Sequence, residues 1–181
     1  SATLRCRLDE SGATTAVARL VSARQLECAS PTSSGAGVRH IEVSMNGQQY
    51  SSSSVEYTYR VAAVVSSVWP SRGAAEGGTP VTVLGSGFSS AAEASGALLC
   101  RFNTTVVPAA YVSESAVVCN STAAAAGYAP LEVSTNGHDY TSNGVRFELV
   151  ALSVDQLTPW SGPARGGTVV TIAGARLAHA G

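Results

Sequence analysis

The sequence predicts an all-β protein made of tandem antiparallel β-sandwiches. Three observations carry this prediction: an internal repeat of about 90 residues, short strands in which apolar and polar residues alternate, and turn residues roughly every ten positions. The repeat opens with the spacing P-x-x-G-x-x-x-G-G-T, which occurs at residues 70–79 and again at residues 159–168. A whole pattern that returns at this distance is typical of consecutive small domains.

The second half of the repeat recurs in the same way, but between the first part of the chain and the middle. Four matches carry this correspondence, namely Cys6-Arg7-Leu8 with Cys100-Arg101-Phe102, Cys28 with Cys119, residues 41–44 with residues 131–134, and the turn Asn46-Gly47 with Asn136-Gly137.

Together the two halves predict how the chain is divided. We expect one complete domain at residues 60–149, the C-terminal part of a domain at residues 1–59 and the N-terminal part of a further domain at residues 150–181. Because an incomplete β-sandwich leaves open edges and half a core, we expect this segment to belong to a longer array. Its nearest partners are then neighbouring repeats of the same chain.

Alternation within the complete domain predicts which side chains face the core. The predicted inward positions are Val81, Val83, Leu98, Cys100, Phe102, Val145, Phe147 and Leu149. Leu99 and Arg101 fall on the opposite face of their strand. No segment shows helical periodicity, since the alanine run at residues 123–126 is too short to nucleate a helix.

The strongest local signal is the turn at Asn136-Gly137. Asn-Gly favours a two-residue type I′ hairpin loop, which sets Val133 opposite Tyr140. Directly opposed residues share a face, so we expect Val133 and Tyr140 to point into the core while Glu132 and Asp139 point to solvent.

The four cysteines occupy matching places in two repeats, which favours one disulfide within each repeat. We expect Cys6 to pair with Cys28 and Cys100 with Cys119. Each bridge closes a loop of about 20 residues and stabilises the domain by about 3 kcal/mol in the chain-entropy model. Buried reduced thiols are the alternative. A zinc site is disfavoured because no C-x-x-C motif or histidine pair accompanies the cysteines.

Two sequons, at Asn103 and Asn120, predict N-linked glycans. Sequons beside an even set of cysteines are typical of an oxidising compartment. We therefore expect this segment to lie in the extracellular space or at the cell surface.

Composition and spacing exclude several function classes. A net charge of -1 and 13% charged residues give no field that would hold nucleic acid, and no apolar run is long enough for a membrane helix. His40, His138 and His179 lie in unrelated places, and the neighbours His138 and Asp139 point to opposite faces of a strand. We expect no enzyme activity, no cofactor and no metal site.

The glycine loop Gly85-Ser86-Gly87 follows a predicted strand, as some phosphate-binding loops do. A phosphate site also needs a helix whose first amides face the anion, and residues 89–95 do not predict one. The matching loop of the next repeat carries Arg176 in place of Gly87. We interpret the glycines as turn residues that the chain needs for shape.

The opening P-x-x-G-x-x-x-G-G-T and V-T-V-L-G-S-G-F, the paired cysteines, the L-E-V-S strand, the N-G turn and the V-R-F ending together resemble the IPT/TIG domain. This is the immunoglobulin-like module of plexins, hepatocyte-growth-factor-type receptors, fibrocystin-like proteins and some transcription factors. The resemblance implies an early-type immunoglobulin-like (E-set) sandwich of about seven strands that serves as a spacer or interaction module. Arg176 and Leu177 depart from the family pattern, so an irregular strand end is expected there.

These observations predict a non-enzymatic spacer segment of a large secreted or cell-surface glycoprotein, a rod of disulfide-stapled sandwiches on a ciliary or cell-wall surface. Other surface or matrix glycoproteins are its expected partners. The alternative is cell adhesion, by an adhesin or a plexin-like or fibrocystin-like receptor ectodomain that binds a protein or glycan. A module accessory to a polysaccharide-processing enzyme is a third class.

Overall fold

A computed structural model describes residues 4–8, 15–33, 35–52 and 55–177, and the chain forms two compact units, Ser1–Ala62 and Ala63–Gly181. His179 lies outside the described residues. The first unit is a five-stranded antiparallel sheet with the order β3-β2-β1-β4-β5. Its strands are β1 (Arg5–Arg7), β2 (Thr15–Ser22), β3 (Gln25–Cys28), β4 (Gly37–Ser44) and β5 (Val55–Tyr59).

The second unit carries the remaining elements. They are β6 (Val64–Trp69), β7 (Arg72–Ala74), β8 (Pro80–Ser86), α1 (Ser90–Ala94), β9 (Leu99–Phe102), β10 (Thr105–Ser113), β11 (Ala116–Asn120), β12 (Gly127–Ser134), β13 (Arg146–Val150), β14 (Ser153–Thr158) and β15 (Thr171–Ala175).

Two long strands join the layers of the sandwich in the second unit. The first half of β10, Thr105–Pro108, pairs with β9, and its second half pairs with β11. In the same way β12 pairs with β13 through Gly127–Pro130 and with β9 through Leu131–Ser134. The hydrogen-bonded order β6-β8-β11-β10-β9-β12-β13-β7 therefore wraps around one core. Among the described strands of this unit, all pairs are antiparallel except β7 with β13, which is parallel.

The core confirms the faces predicted from alternation. Val81, Val83, Leu98, Cys100, Phe102, Phe147 and Leu149 are buried, and Val145 packs against them. The rings of Phe102 and Phe147 meet edge to face with their centroids 5.7 Å apart, an arrangement that adds to the free energy of burial. Each large apolar side chain here contributes about 1.5–3 kcal/mol by burial.

The repeated glycine signature is explained by close packing at its first glycine. A Cβ on Gly73 would lie 2.4 Å from Thr79 Oγ1 and 2.8 Å from Phe147 Cζ. At the next repeat a Cβ on Gly162 would lie 2.5 Å from Thr168 Oγ1. The spacing P-x-x-G-x-x-x-G-G-T therefore brings a threonine side chain against a glycine that has no room for a larger residue.

The predicted hairpin register at Asn136-Gly137 was wrong. Tyr140 pairs with Ser134, not with Val133, and Asn136 does not have the positive φ that a type I′ turn requires. The loop is longer because side chains replace strand hydrogen bonds: Ser134 Oγ accepts from Gly137 N at 2.9 Å, and Asn136 Oδ1 accepts from Asp139 N at 2.8 Å. A shift of one residue moves Tyr140 to the outer face of the sheet.

A short helix follows the glycine loop, although the sequence predicted none. Helix α1 spans Ser90–Ala94 and buries Ala92. It is held by a tertiary contact, because Glu93 Oε1 accepts a hydrogen bond from Tyr111 N at 3.0 Å. A single turn that depends on such a contact leaves no periodicity in the sequence.

Gly85 allows β6 to pass very close to β8. A Cβ at this position would lie 1.9 Å from Val64 O, beside an irregular register in β6. Gly174 repeats this feature in the β14–β15 hairpin, at 1.9 Å from Ser153 O. Arg176 has a φ of 60° where Gly87 has 78°, so the departure from the family pattern keeps the left-handed turn.

We expect Gly85→Ala to lower the free energy of unfolding by about 3 kcal/mol, because the new methyl group would overlap a backbone carbonyl that cannot move without separating two strands. Gly96→Ala is the matched control. Its φ is +70° and nothing lies within 4 Å of the added Cβ, so it should cost about 1 kcal/mol of backbone strain. Urea unfolding of both variants compares the two costs, and equal values would refute the close approach.

Candidate functional site

The structure joins Cys100 in β9 to Cys119 in β11 across the layers of the second unit, with their Cα atoms 6.3 Å apart. Both residues are buried, among the apolar side chains of the core. In the first unit Cys6 in β1 is joined to Cys28 in β3, with Cα atoms 6.4 Å apart. The two bridges occupy matching strands, so each unit carries its own link.

An arginine next to each first cysteine organises the outer face of the same strand. Arg101 Nε donates to Glu132 Oε2 at 2.9 Å, and the guanidinium carbon lies 4.1 Å from the centre of the Tyr140 ring. In the first unit Arg7 Nε donates to Glu42 Oε2 at 2.6 Å, and its guanidinium carbon lies 4.2 Å from the centre of the Tyr50 ring. We call each group of three the outer-face cluster.

Partial burial strengthens the ion pair in the outer-face cluster of the second unit. The Arg101 side chain is 35% exposed and that of Glu132 21%, so water screens the ion pair less than it would on an open surface. The tyrosine ring covers the guanidinium and adds a cation–π attraction. The cluster fastens the loop after β12 to the centre of the sheet.

The outer-face cluster was not predicted from the sequence, because the predicted hairpin register put Tyr140 in the core. A signal was present, since the arginine, the glutamate and the tyrosine all recur at matching places in the two repeats. Strand alternation alone puts Arg101 and Glu132 on one face. The position of the tyrosine depends on the loop register, which side-chain hydrogen bonds decide.

The two sequon asparagines lie at different kinds of position. Asn103 occupies the tight turn between β9 and β10 with a φ of 56°, and its backbone N donates to Pro130 O at 2.9 Å. Asn120 is the last residue of β11. Both asparagines are exposed. The following Ser121 is buried and accepts a hydrogen bond from Thr79 N at 3.0 Å.

One tyrosine of the first unit has a perturbed acidity. Burial raises the pKa of Tyr59, and the neighbouring Tyr57, whose ring centroid is 5.0 Å away, raises it further. The Tyr59 hydroxyl donates to Pro31 O at 2.6 Å. This bond ties β5 to the segment after β3.

The described residues contain no cluster of three or more histidine, cysteine or acidic side chains that could hold a metal ion. His40 is in β4 and His138 is in the loop after β12. Within the described ranges no helix is both long and apolar enough to cross a membrane.

Comparison with known proteins gives a family match in the second unit. The model of the IPT/TIG domain family matches residues 63–149. Plexin-A3 of Rattus norvegicus and Plexin-A3 of Homo sapiens are each 29% identical to this chain over 119 residues. The match covers 62% of this chain but only 6% of each relative.

Two solved structures are also similar. One is the Plexin A4 full extracellular region, domains 1 to 10, with a TM-score of 0.47 and 16% identity, covering 86% of this chain and 13% of that one. The other is the same region with domains 1 to 8, with a TM-score of 0.45 and 15% identity, covering 96% of this chain and 24% of that one.

We expect Tyr140→Leu to lower the free energy of unfolding of the second unit by about 0.5–1 kcal/mol, because the Arg101 guanidinium loses the ring that covers it. Tyr128→Leu is the matched control. Tyr128 lies on the same face of β12 as Glu132, but it is 69% exposed. A double-mutant cycle with Arg101→Met, followed by urea unfolding, measures the coupling. A coupling energy of zero between Arg101 and Tyr140 would contradict the cluster.

Proposed function

We propose, because residues 63–149 belong to the IPT/TIG family, that the chain is a non-enzymatic spacer segment of a secreted or cell-surface glycoprotein. The observation that carries the proposal is the pair of disulfides in matching positions of consecutive units. Structural disulfides persist in oxidising compartments, and both sequon asparagines are exposed. The units would hold other parts of the protein at a fixed distance from the cell.

Incomplete pieces at both sides of the complete domain support a tandem array. The first unit has strands that match β9 to β13, while β14 and β15 match β6 and β8, including the irregular register beside the glycine. We propose domain limits of 1–59, 60–149 and 150–181, with the first and last segments as parts of neighbouring IPT/TIG domains. We propose that the first segment needs strands equivalent to β6 and β8 to complete its core, and that the last segment needs strands equivalent to β9 to β13.

The connections favour a stiff rod over a flexible string. Residues 60–63, between β5 and β6, are Arg-Val-Ala-Ala, and β13 and β14 are separated by Ala151 and Leu152. Neither connection contains glycine, serine or proline, the residues of flexible or extended linkers. With strands of up to nine residues, each domain would add about 30 to 40 Å of length.

Ligand binding by a receptor-like ectodomain is the second candidate. It is favoured by the similarity to Plexin-A3 and by exposed apolar side chains in the second unit, including Tyr128 at 69% and Val106 at 45%. Binding of a protein or glycan that Tyr128→Ser abolishes would favour this function over a spacer. We also propose a ciliary or cell-wall location, which imaging of the surface-labelled protein would test.

Surface labelling of intact cells tests the compartment. An antibody raised against this chain should recover a protein that a membrane-impermeant biotin reagent labels and that loses mass on enzymatic removal of N-glycans. Reduction should then add one hydrogen per cysteine, because all four are paired. Recovery of an unlabelled intracellular protein with free thiols and no glycan would refute the proposal.

A further inference from the structure

A groove of about 440 Å³ lies beside the point where β10 passes from one layer of the second unit to the other. This volume is within the range of small-ligand sites, about 300–1,000 Å³. The apolar residues that line it are Leu98, Leu99, Pro108, Ala109, Ala110 and Val118. Leu98 and Ala109 are buried, whereas Pro108 and Ala110 remain exposed. An apolar groove bordered by a few polar groups has the usual composition of a ligand site.

Two polar residues border this groove, Glu93 and Asn120. One carboxylate oxygen of Glu93 accepts from Tyr111 N at 3.0 Å, which fixes the carboxylate at the edge of the groove. On β11, Val118 and Asn120 share one face because side chains alternate along a strand, while Val117 and Cys119 are buried on the other. The Asn120 amide therefore stands beside an apolar wall.

We propose that the groove is the seat of the N-linked glycan of Asn120. The glycosidic bond would join Nδ2 to the anomeric carbon of the first sugar. Nδ2 loses a proton, and the anomeric carbon of an activated sugar-diphosphate donor loses its diphosphate group, so the sugar ring must lie at the mouth of the groove. The apolar C–H faces of the N-acetylglucosamine core pack on Leu99, Pro108 and Val118, and a sugar hydroxyl donates to Glu93. The inference rests on the proposed function, since only a protein of the secretory pathway receives this glycan.

Covalent attachment makes weak contacts sufficient. A group tethered by a short linker experiences an effective concentration on the order of millimolar, so a sugar surface with low intrinsic affinity still occupies the groove. Because the seat exists only in the folded domain, its occupation stabilises the folded state. The glycan would then cover the apolar residues beside the point where β10 passes from one layer to the other.

The second sequon provides an internal control. Asn103 lies in an exposed turn, and the next three residues of the chain are exposed as well. It does not line the groove. A glycan there extends into solvent and should leave the stability of the domain unchanged.

The test uses the full 181-residue chain secreted from eukaryotic cells, with intact mass measured first to establish whether Asn120 is occupied. We expect Asn120→Gln to lower Tm by about 3 °C and to speed amide hydrogen exchange at residues 109–119. Thr105→Val should change neither, because it removes the Asn103 sequon and leaves the left-handed residue Asn103 in place. Val118→Thr keeps the side-chain shape but adds a hydroxyl to the apolar wall. In that background, Asn120→Gln should lower Tm by much less. Trimming the glycan of the folded protein to a single N-acetylglucosamine should retain most of its effect on Tm and on amide hydrogen exchange.

Two results would overturn the inference, and they are distinguishable. If the secreted chain carries no glycan at Asn120, the inference fails together with the glycoprotein part of the proposed function. If Asn120 carries a glycan whose removal, by mutation or by enzyme on the folded protein, leaves Tm and local exchange unchanged, only the inference fails.

Discussion

The second unit depends on the covalent link between its layers at Cys100 and Cys119. The link lies beside the stretch of β10 that passes from one layer to the other, with Val107 opposite Cys100 and Ala109 opposite Cys119. The disulfide therefore joins the two layers at the point where the hydrogen-bonded partner of β10 changes from β9 to β11. Phe102 and Phe147 fill the core around this link, and the glycine at position 73 lets the chain pass over the Phe147 ring.

The two faces of β9 make different contacts, through adjacent residues. Cys100 points inward to the disulfide, while Arg101 points outward to Glu132 and Tyr140. The same division holds for Cys6 and Arg7 in the first unit. Because side chains alternate along a strand, a Cys-Arg pair is enough to anchor both surfaces of the sheet. This explains why the pair returns with the repeat.

Sequence patterns predicted the strands and their buried faces because alternation records burial directly, as at Leu98 and Phe102. They failed where side chains replace backbone hydrogen bonds. Ser134 and Asn136 build the loop after β12 and shift Tyr140 by one position, which moves it from the predicted core to the outer-face cluster. Helix α1 was missed because Glu93 stabilises it through a distant strand. The groove at Asn120 depends on the crossing of β10, which strand periodicity does not encode.

Disulfide mapping tests the central claim, that each unit is stapled within itself, most directly. Arginines separate all four cysteines, so trypsin under non-reducing conditions, after removal of N-glycans, yields a distinct peptide for each one. Mass spectrometry should find the Cys6 peptide joined to the Cys28 peptide and the Cys100 peptide joined to the Cys119 peptide. A peptide that joins cysteines of different units, or four unlinked peptides from the secreted protein, would contradict the account.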